Sequence, residues 1–259
     1  MIPLYCLAIA VLKKQELEPA MMPPAVMPLV AKPNFYVITM DSPEGQARML
    51  RRNGVQFEKD MGFEAKVAHG YKTTEIPADF ITKLQGRYTV NKGSIACALW
   101  SHYQVWKQIV SSNTAAVIAE DDSCKVSGRV MPDLGSLADN TICRFGGAVR
   151  SPGSWSKEAH DFVYNMKFYE VVMNFKDGFN TISPDTCRFT CALAYWCPVK
   201  CAKSLISMVE TQGIRRSPDI MLNLSGLATM LFYPPPYVES PGSVSQCGSP
   251  KNDLILACN

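Results

Sequence analysis

The segment Thr114-Ala-Ala-Val-Ile-Ala-Glu-Asp-Asp122 decides the fold class of this chain. Its apolar part, residues 115–119, is short and is bounded by polar residues. That pattern favours a buried strand over a helix, since a helix would need roughly 10 residues or more. Strands buried on both faces are typical of parallel sheets covered by helices. The segment therefore predicts a single α/β domain with a mostly parallel central sheet and helices on both of its faces.

Three consecutive carboxylates, Glu120, Asp121 and Asp122, follow the predicted strand directly. Ligands of open α/β sheets bind beyond the carboxyl ends of the strands, so these side chains mark a candidate site. Alternation along a strand would send Glu120 and Asp122 to one side and Asp121 to the other. Two carboxylates on one side suit a hard divalent cation that keeps waters and also binds a diphosphate. A solvated turn is the alternative, since aspartate favours turns.

Composition and charge restrict the class of protein. With 259 residues, of which 47% are hydrophobic, the chain can bury one large core. The formal charge of +3, without a basic run, does not indicate a nucleic-acid partner. Ten cysteines form no CxxC pair. Small buried thiols, or disulfides in a secretory compartment, are therefore favoured over a zinc site, which stays open for the group from Cys187 to Cys201.

The chain is predicted to have three parts. Residues 1–31 form an apolar and proline-rich tail or linker, because proline blocks helix and removes backbone donors. The folded domain is predicted over 32–240, and a tail follows over 241–259. The apolar run Met1–Leu12 is too short to span a membrane. If it belongs to a signal anchor, the protein enters the secretory-pathway lumen and only this segment contacts a membrane; otherwise a cytoplasmic location is expected.

The first half of the domain is predicted to alternate strands and helices, which indicates a parallel α/β unit. The predicted elements are strands over Asn34–Met40, Val55–Phe57 and Phe63–Ala68, a turn at His69-Gly70, a helix over Glu44–Asn53 that Gly54 ends, and a helix from Ser94, its N-cap, to Val110. His102 lies on the apolar stripe of that last helix. It is either a core histidine bonded to a backbone carbonyl or a ligand-binding residue.

The second half of the domain has a weaker pattern. The predicted elements are strands over Ile142–Val149, Lys167–Phe175 and Arg188–Trp196, a polar loop over Ser151–Asp161, a helix over Val199–Glu210 opened by Pro198, a helix beginning at Ser217-Pro218-Asp219 with Ser217 as N-cap, and an extended segment near an edge over Leu231–Val238. In the structural interpretation, Asp219 complements the helix dipole.

Several of these segments, in this order, resemble glycosyltransferase family 25, which includes lipooligosaccharide galactosyltransferases and collagen galactosyltransferases. The resemblance covers residues 34–239. It is carried by Phe35-Tyr-Val-Ile-Thr-Met-Asp41 with Arg48, Lys92-Gly-Ser-Ile-Ala-Cys-Ala-Leu-Trp-Ser-His102, Ala115–Asp122, Thr190-Cys-Ala-Leu-Ala-Tyr195, and Ser217-Pro-Asp219. The pairing of Ser-His with Glu-Asp-Asp is its most specific part. The chain departs from the family pattern at Thr39, His69, Ser94 and Ala96, and residues 123–180 match none of its blocks.

The resemblance implies a GT-A-like fold and an inverting transfer of a hexose, galactose by implication, from a UDP-sugar to a hydroxyl of a glycan or glycoprotein. A divalent cation, Mn²⁺ or Mg²⁺, would stabilise the departing diphosphate. We interpret Glu120 and Asp122 as metal ligands and Asp219 as the catalytic base that takes the acceptor proton. The implied donor-binding residues are Thr39, Asp41, Arg48, Ser101, His102 and Asp121. Arg48, Arg215 and Arg216 are candidate phosphate contacts, and surface solvation is the alternative role of each arginine.

Two other functions stay open on the sequence. The first is another aspartate-metal enzyme, a phosphotransferase or hydrolase, although the chain has no Walker-type glycine loop. The second is a non-catalytic relative that binds carbohydrate or nucleotide. The departures at His69 and Ser94 keep that second alternative open.

Overall fold

The computed structural model describes residues 32–82, 92–150, 175–182, 188–213 and 217–239. Both predicted tails lie outside these ranges, as do the loop predicted over Ser151–Asp161, nearly all of the strand predicted over Lys167–Phe175, and Arg215 and Arg216. No helix within the described ranges is long and apolar enough to cross a membrane.

The described residues form nine strands and six α-helices. The strands are β1 Asn34–Met40, β2 Glu64–Gly70, β3 Ala116–Glu120, β4 Ser123–Lys125, β5 Thr141–Arg150, β6 Gly178–Ile182, β7 Arg188–Cys197, β8 Ala228–Tyr233 and β9 Tyr237–Glu239. The helices are α1 Pro43–Arg51, α2 Gly54–Asp60, α3 Ala78–Thr82, α4 Lys92–Ser112, α5 Val199–Gln212 and α6 Pro218–Leu224. Short 3₁₀ turns occur at Thr73–Glu75 and Leu134–Ser136.

Seven strands form the central sheet, in the order β2-β1-β3-β7-β5-β8-β6. Strand β1 pairs in parallel with both β2 and β3, and β5 pairs in parallel with β8. The pairs β3–β7, β5–β7 and β6–β8 are antiparallel. The chain therefore has the predicted α/β class. Its sheet is parallel in the first three strands and mixed beyond them.

The two faces of the sheet bury separate hydrophobic cores, as alternation along β1 shows. Tyr36 and Ile38 belong to the core that is shared with α4, α5 and α6. Phe35 and Val37 belong to the opposite core, with Phe57 of α2. Because each face of a central strand carries apolar side chains, helices have to cover both faces, as predicted. Four of the six described cysteines are buried: Cys124, Cys143, Cys197 and Cys201.

Four local predictions in the first half were wrong. Residues 55–57 lie in helix α2 and not in a strand, and Gly54 begins that helix instead of ending α1. A Cβ atom on Gly54 would lie 2.9 Å from both the Arg52 and the Glu58 side chains, so the glycine makes room for a buried ion pair. His69-Gly70 continues β2 and forms no turn. The long helix begins by Lys92, so Ser94 is not its N-cap.

The second half also departs from expectation at its end. The segment predicted near an edge, Leu231–Val238, belongs in part to β8, which lies between β5 and β6 inside the sheet. Its proline run follows β8 and leads to β9, which pairs with β4 in a separate two-stranded sheet. Ser217 stands at the N-cap position of α6, but its side chain makes no capping hydrogen bond.

A buried ion pair joins α1–α2 to the last strand. Arg52 follows α1 and donates to Glu58 of α2, and the side chains of both residues are 0% exposed. The Tyr237 hydroxyl donates to Glu58 at 2.7 Å, and the guanidinium lies 5.5 Å from the ring centroid of Phe35. Arg52 Nε also donates to the hydroxyl of Ser123 at 3.2 Å. The pair thus connects β1, β4 and β9 to the helices on this face.

Glu58→Gln should lower the free energy of unfolding by about 3–5 kcal/mol, because the Arg52 guanidinium would stay buried without its counter-charge. The control is Glu64→Gln, which removes a carboxylate 3.3 Å from Lys66 where both side chains are exposed. That variant should change stability little, since exposed ion pairs contribute little. Urea unfolding followed by tryptophan fluorescence measures both. Equal losses in the two variants would contradict this assignment.

Candidate functional site

A cleft opens at the carboxyl ends of β1, β2 and β3. From β1 the chain passes through α1 and α2 to β2 on one side, and it returns through α4 to β3 on the other side. The crevice between β1 and β3 is therefore the topological switch point of the sheet, where ligands of such sheets bind. The cleft is lined by Ile38, Thr39, Met40, Arg48, Gly70, Tyr71, Cys97, Ala98, Ser101, His102, Glu120, Asp121 and Asp122.

The acidic residues at the end of β3 form a turn. The strand ends at Glu120, and Asp121 and Asp122 occupy the turn before β4. The strand alternation therefore stops at Glu120, and all three carboxylates line the same cleft, contrary to the sidedness predicted for Asp121. The Ser123 hydroxyl donates to the Glu120 carbonyl at 2.7 Å and closes the turn. Since Arg52 holds the same hydroxyl, the buried ion pair stabilises the turn as well.

Asp121 is bound by its neighbours on β1 and α1. The Thr39 hydroxyl donates to Asp121 Oδ2 at 2.8 Å, and Arg48 Nη1 lies 3.4 Å from Oδ1. Arg48 also pairs with Glu44 at 2.7 Å, although its own side chain is almost fully buried. Burial raises the pKa of the Asp121 carboxyl, and Asp122 adds to the rise, while Thr39 and Arg48 act in the opposite direction. Through these contacts, Asp121 links β1 and α1 to the acidic turn.

Glu120 is contacted by the histidine of α4. His102 Nε2 lies 3.2 Å from Glu120 Oε1, and His102 Nδ1 lies 2.8 Å from the hydroxyl of Tyr195 on β7. The indole of Trp106 donates to the same hydroxyl at 2.9 Å. The core interpretation of His102 expected a backbone carbonyl as its partner. Its partners are side chains instead, and one of them belongs to the acidic turn.

His102 is neutral in this environment. The pKa of His102 is lowered to about 3, mainly by burial; the Asp219 carboxylate acts in the opposite direction, and Arg144 adds a smaller lowering. The contact with Glu120 has the geometry of an ion pair and would favour the charged ring. Burial outweighs it, because the ring is 1% exposed while the Glu120 side chain is 30% exposed and keeps part of its hydration.

Ser101 uses its hydroxyl within the protein. The oxygen accepts from the backbone N–H of Tyr71 at 3.0 Å and donates to the Cys97 carbonyl at 2.8 Å. It therefore joins the end of β2 to α4 at the wall of the cleft. Although Ser101 lines the cleft, these contacts give it a structural role beside the donor-binding role predicted for it.

Asp219 lies at the start of α6, next to the buried Arg144. Its Oδ2 accepts from the backbone N–H of Cys191 at 3.0 Å, and Arg144 Nη2 donates to the Asp219 carbonyl at 3.2 Å. Cys191 has a φ of 67°, a conformation that is uncommon outside glycine. Because the charge of Asp219 acts on His102, its carboxylate lies within electrostatic range of the cleft.

The structure brings together most of the predicted site residues. Seven of the nine line the cleft: Thr39, Arg48, Ser101, His102, Glu120, Asp121 and Asp122. The two that the lining does not include are Asp41 and Asp219. Asp41 is exposed in the turn after β1, one residue beyond Met40, which does line the cleft. The roles assigned to both aspartates stay predictions.

Neither Tyr195 nor Arg144 was predicted from the sequence to belong to the site. Both lie between apolar neighbours on their strands, and both are fully buried. A buried hydroxyl or guanidinium needs partners, so a polar side chain within an apolar strand was the available signal. The identity of the partners was not readable, because they come from α4 and α6, far away along the chain.

The carboxylates of the turn could supply only some of the ligands that a metal ion needs. No group of three or more His, Cys, Asp or Glu side chains within the described ranges could hold a metal ion. Since Asp121 is engaged by Thr39 and Arg48, the pair Glu120 and Asp122 is the set that fits. Two carboxylates with water and phosphate oxygens are typical of Mg²⁺ bound with a nucleotide.

Residues 33–216 match a family model described as glycosyltransferase family 25 (LPS biosynthesis protein). The matched range includes every residue that lines the cleft and ends before α6. A comparison with individual curated proteins gave no match.

Ser101→Ala should lower the free energy of unfolding by about 1–3 kcal/mol, because it leaves the Tyr71 N–H without its acceptor. The control is Ser204→Ala, since the Ser204 hydroxyl donates to the Lys200 carbonyl on the exposed side of α5. The control should stay close to the wild type. Thermal and urea unfolding of both variants measure the difference. A Ser101→Ala protein as stable as the control would show that this contact does not hold β2 to α4.

Proposed function

Because the chain belongs to glycosyltransferase family 25, we propose that its cleft binds a UDP-hexose and transfers the sugar, galactose, with inversion to a hydroxyl of a glycan or glycoprotein. Glycosyl transfer itself follows from the family. The observation that carries the finer proposal is the acidic turn 120–122, which lies in the switch-point cleft beside Arg48. A cleft of this kind suits a nucleotide, and its carboxylates suit a cation that accompanies a diphosphate.

Glu120 and Asp122 are the residues that would hold Mn²⁺ or Mg²⁺. Both line the cleft, and their oxygens are the hard ligands that these cations prefer. The remaining ligands would be water and phosphate oxygens. Bound there, the cation would stabilise the negative charge that develops on the departing diphosphate.

The transfer needs a base that takes the proton from the hydroxyl of the sugar acceptor. The hydroxyl oxygen of the acceptor bonds to the anomeric carbon as the bond from that carbon to the diphosphate breaks, and the hydroxyl proton passes to a base. We assign this role to Asp219. The assignment is supported by the influence of its charge on His102 in the cleft wall. The contact with Cys191 N–H gives the same carboxylate a competing role as a backbone clamp.

Wild-type protein should release UDP from UDP-galactose in the presence of Mn²⁺ and an acceptor glycan. Asp122→Asn should lower kcat/KM for the donor by about 100-fold or more, since a metal contributes several kcal/mol to charge stabilisation and each 1.4 kcal/mol is tenfold. The control is Asp60→Asn, an exposed carboxylate that accepts from Gln56. It should not change kcat/KM. Electron paramagnetic resonance in the presence of UDP should show that Mn²⁺ binds more weakly to Asp122→Asn than to the wild type, and that Asp60→Asn binds Mn²⁺ as the wild type does.

Other outcomes of the same assay separate the alternatives. Binding of UDP-sugar and Mn²⁺ without turnover, across a panel of acceptors, would favour the non-catalytic relative. Release of inorganic phosphate without sugar transfer would favour a phosphohydrolase. An Asp122→Asn variant with full activity and unchanged Mn²⁺ dependence would remove Asp122 from the proposed metal site.

The variant Asp219→Asn distinguishes a catalytic role of Asp219 as the base from a structural role as the acceptor of the Cys191 N–H. An amide oxygen still accepts from the Cys191 N–H, so stability should be close to that of the wild type. If Asp219 is the base, kcat at saturating donor and acceptor should fall by about 100- to 10,000-fold. Steady-state kinetics and thermal unfolding of the same preparation measure both quantities. A variant with wild-type kcat would leave Asp219 as a clamp only.

A further inference from the structure

A chain of hydrogen bonds runs from α4 through β7 to the acidic turn. Trp106 Nε1 lies 2.9 Å from the hydroxyl oxygen of Tyr195, which lies 2.8 Å from His102 Nδ1. The other ring nitrogen, His102 Nε2, lies 3.2 Å from Glu120 Oε1. Trp106, Tyr195 and His102 are buried almost completely. Of these four hydrogen-bonded residues, only Glu120 reaches the open part of the cleft, with 30% of its side chain exposed.

The donor and acceptor groups of Trp106 and Tyr195 fix the direction in which these hydrogen bonds are donated. An indole N–H can only donate, so the Tyr195 oxygen accepts from Trp106. The single hydroxyl hydrogen of Tyr195 then points to His102 Nδ1, its only acceptor among the described residues. If Nδ1 carried a proton instead, the hydroxyl hydrogen would be buried without an acceptor, which is unfavourable. Nδ1 is therefore an acceptor, and the ring proton is on Nε2.

We propose that His102 positions Glu120 by donating its Nε2–H to Oε1, and that Trp106 and Tyr195 maintain the tautomer required for this. The inference rests on the proposed function, in which Glu120 is one of the two carboxylates assigned to the metal and diphosphate. His102 and Tyr195 are thus positioning residues. They touch no reacting atom and act through the carboxylate of Glu120.

Packing keeps the imidazole ring in this orientation. The rings of His102 and Tyr195 are stacked, with centroids 5.7 Å apart and an interplanar angle of 19°. A half-turn of the imidazole would replace both nitrogens by carbon atoms and break both hydrogen bonds. The ring is therefore held at two points and along one face, which makes it a rigid donor for a flexible side chain.

Glu120 needs such a donor more than Asp121 does. Asp121 has a short side chain that Thr39 and Arg48 bind from two directions. Glu120 has one more rotatable bond, and fixing its carboxylate costs more conformational entropy. A ligand group fixed before the substrate binds contributes more than one that has to be ordered on binding. The His102 contact at Oε1 supplies this order from the protein side.

The tautomer is measured directly on the full chain without ligand. The chain contains three histidines, so ¹⁵N-histidine spectra are simple, and the His102 signals are assigned by their loss in His102→Gln. From the hydrogen-bond geometry we expect a proton on Nε2 and an imine-type Nδ1. A proton on Nδ1, or on both nitrogens, would overturn the proposal.

The matched variants are Tyr195→Phe and Tyr103→Phe, each of which removes one phenolic hydroxyl. The Tyr103 hydroxyl donates to Glu210 on α5, and Tyr103 does not line the cleft. Tyr195→Phe should weaken binding of Mn²⁺ with UDP by about 10- to 100-fold, the usual effect of removing a hydrogen bond behind a metal-site residue. It should also speed the exchange of the Nε2–H with solvent. Tyr103→Phe should do neither, and equal effects in the two variants would overturn the proposal.

A second pair of variants keeps the test valid if Tyr195→Phe does not fold. In His102→Gln the side-chain amide reaches the place of Nε2 and can still donate to Glu120. In His102→Asn it reaches only the place of Nδ1. Binding of Mn²⁺ with UDP should be at least about tenfold weaker for Asn than for Gln, and the reverse order would contradict the inference. If the wild type binds neither ligand, the proposed function fails, whereas the tautomer measurement still decides on the geometry.

Discussion

Three adjacent carboxylates at the end of a buried strand repel one another, and the surrounding structure is arranged to compensate that charge. Thr39 and Arg48 bind Asp121, and His102 contacts Glu120. The Ser123 hydroxyl donates to the Glu120 carbonyl and accepts from Arg52, which stabilises the turn. These partners come from β1, α1 and α4, the elements that surround the cleft. The packing of the parallel half and the charge distribution of the site are therefore one arrangement, because a carboxylate that is partly removed from water has to be hydrogen-bonded or paired.

The sequence predicted the elements that carry strong local signals. The limits of β1 were predicted correctly, and those of β3 and α4 to within a few residues, because these elements combine clear periodicity with polar ends. The acidic turn and the residues that surround it also meet in one cleft, as switch-point topology predicts. Helix α2 was missed because the need for Gly54 arises from the buried pair of Arg52 and Glu58. The hydrogen-bond chain through Tyr195 was also hidden, since its members are separated by about ninety residues along the chain.

The two halves of the sheet contribute differently to the site. The parallel strands β1, β2 and β3 form the cleft with their carboxyl ends, and α4 forms its wall. The described residues of the mixed half do not line the cleft. Tyr195 of β7 nevertheless fixes His102, and Asp219 and Arg144 set the electrostatic environment of the same ring. In the proposed function, the donor would bind at the parallel strands and the acceptor near the C-terminal half. The family match spans both halves up to residue 216.

The position of β8 and β9 affects how the protein can be shortened for expression. The match to the family ends at residue 216, yet β8 pairs with both β5 and β6, and Tyr237 donates to the buried Glu58. A recombinant fragment trimmed to the matched range would lose an interior strand and expose the edges of its two neighbours. Exposed edges of this kind promote association between chains. The smallest fragment that retains this architecture has to extend through residue 239, beyond the border that family similarity would suggest.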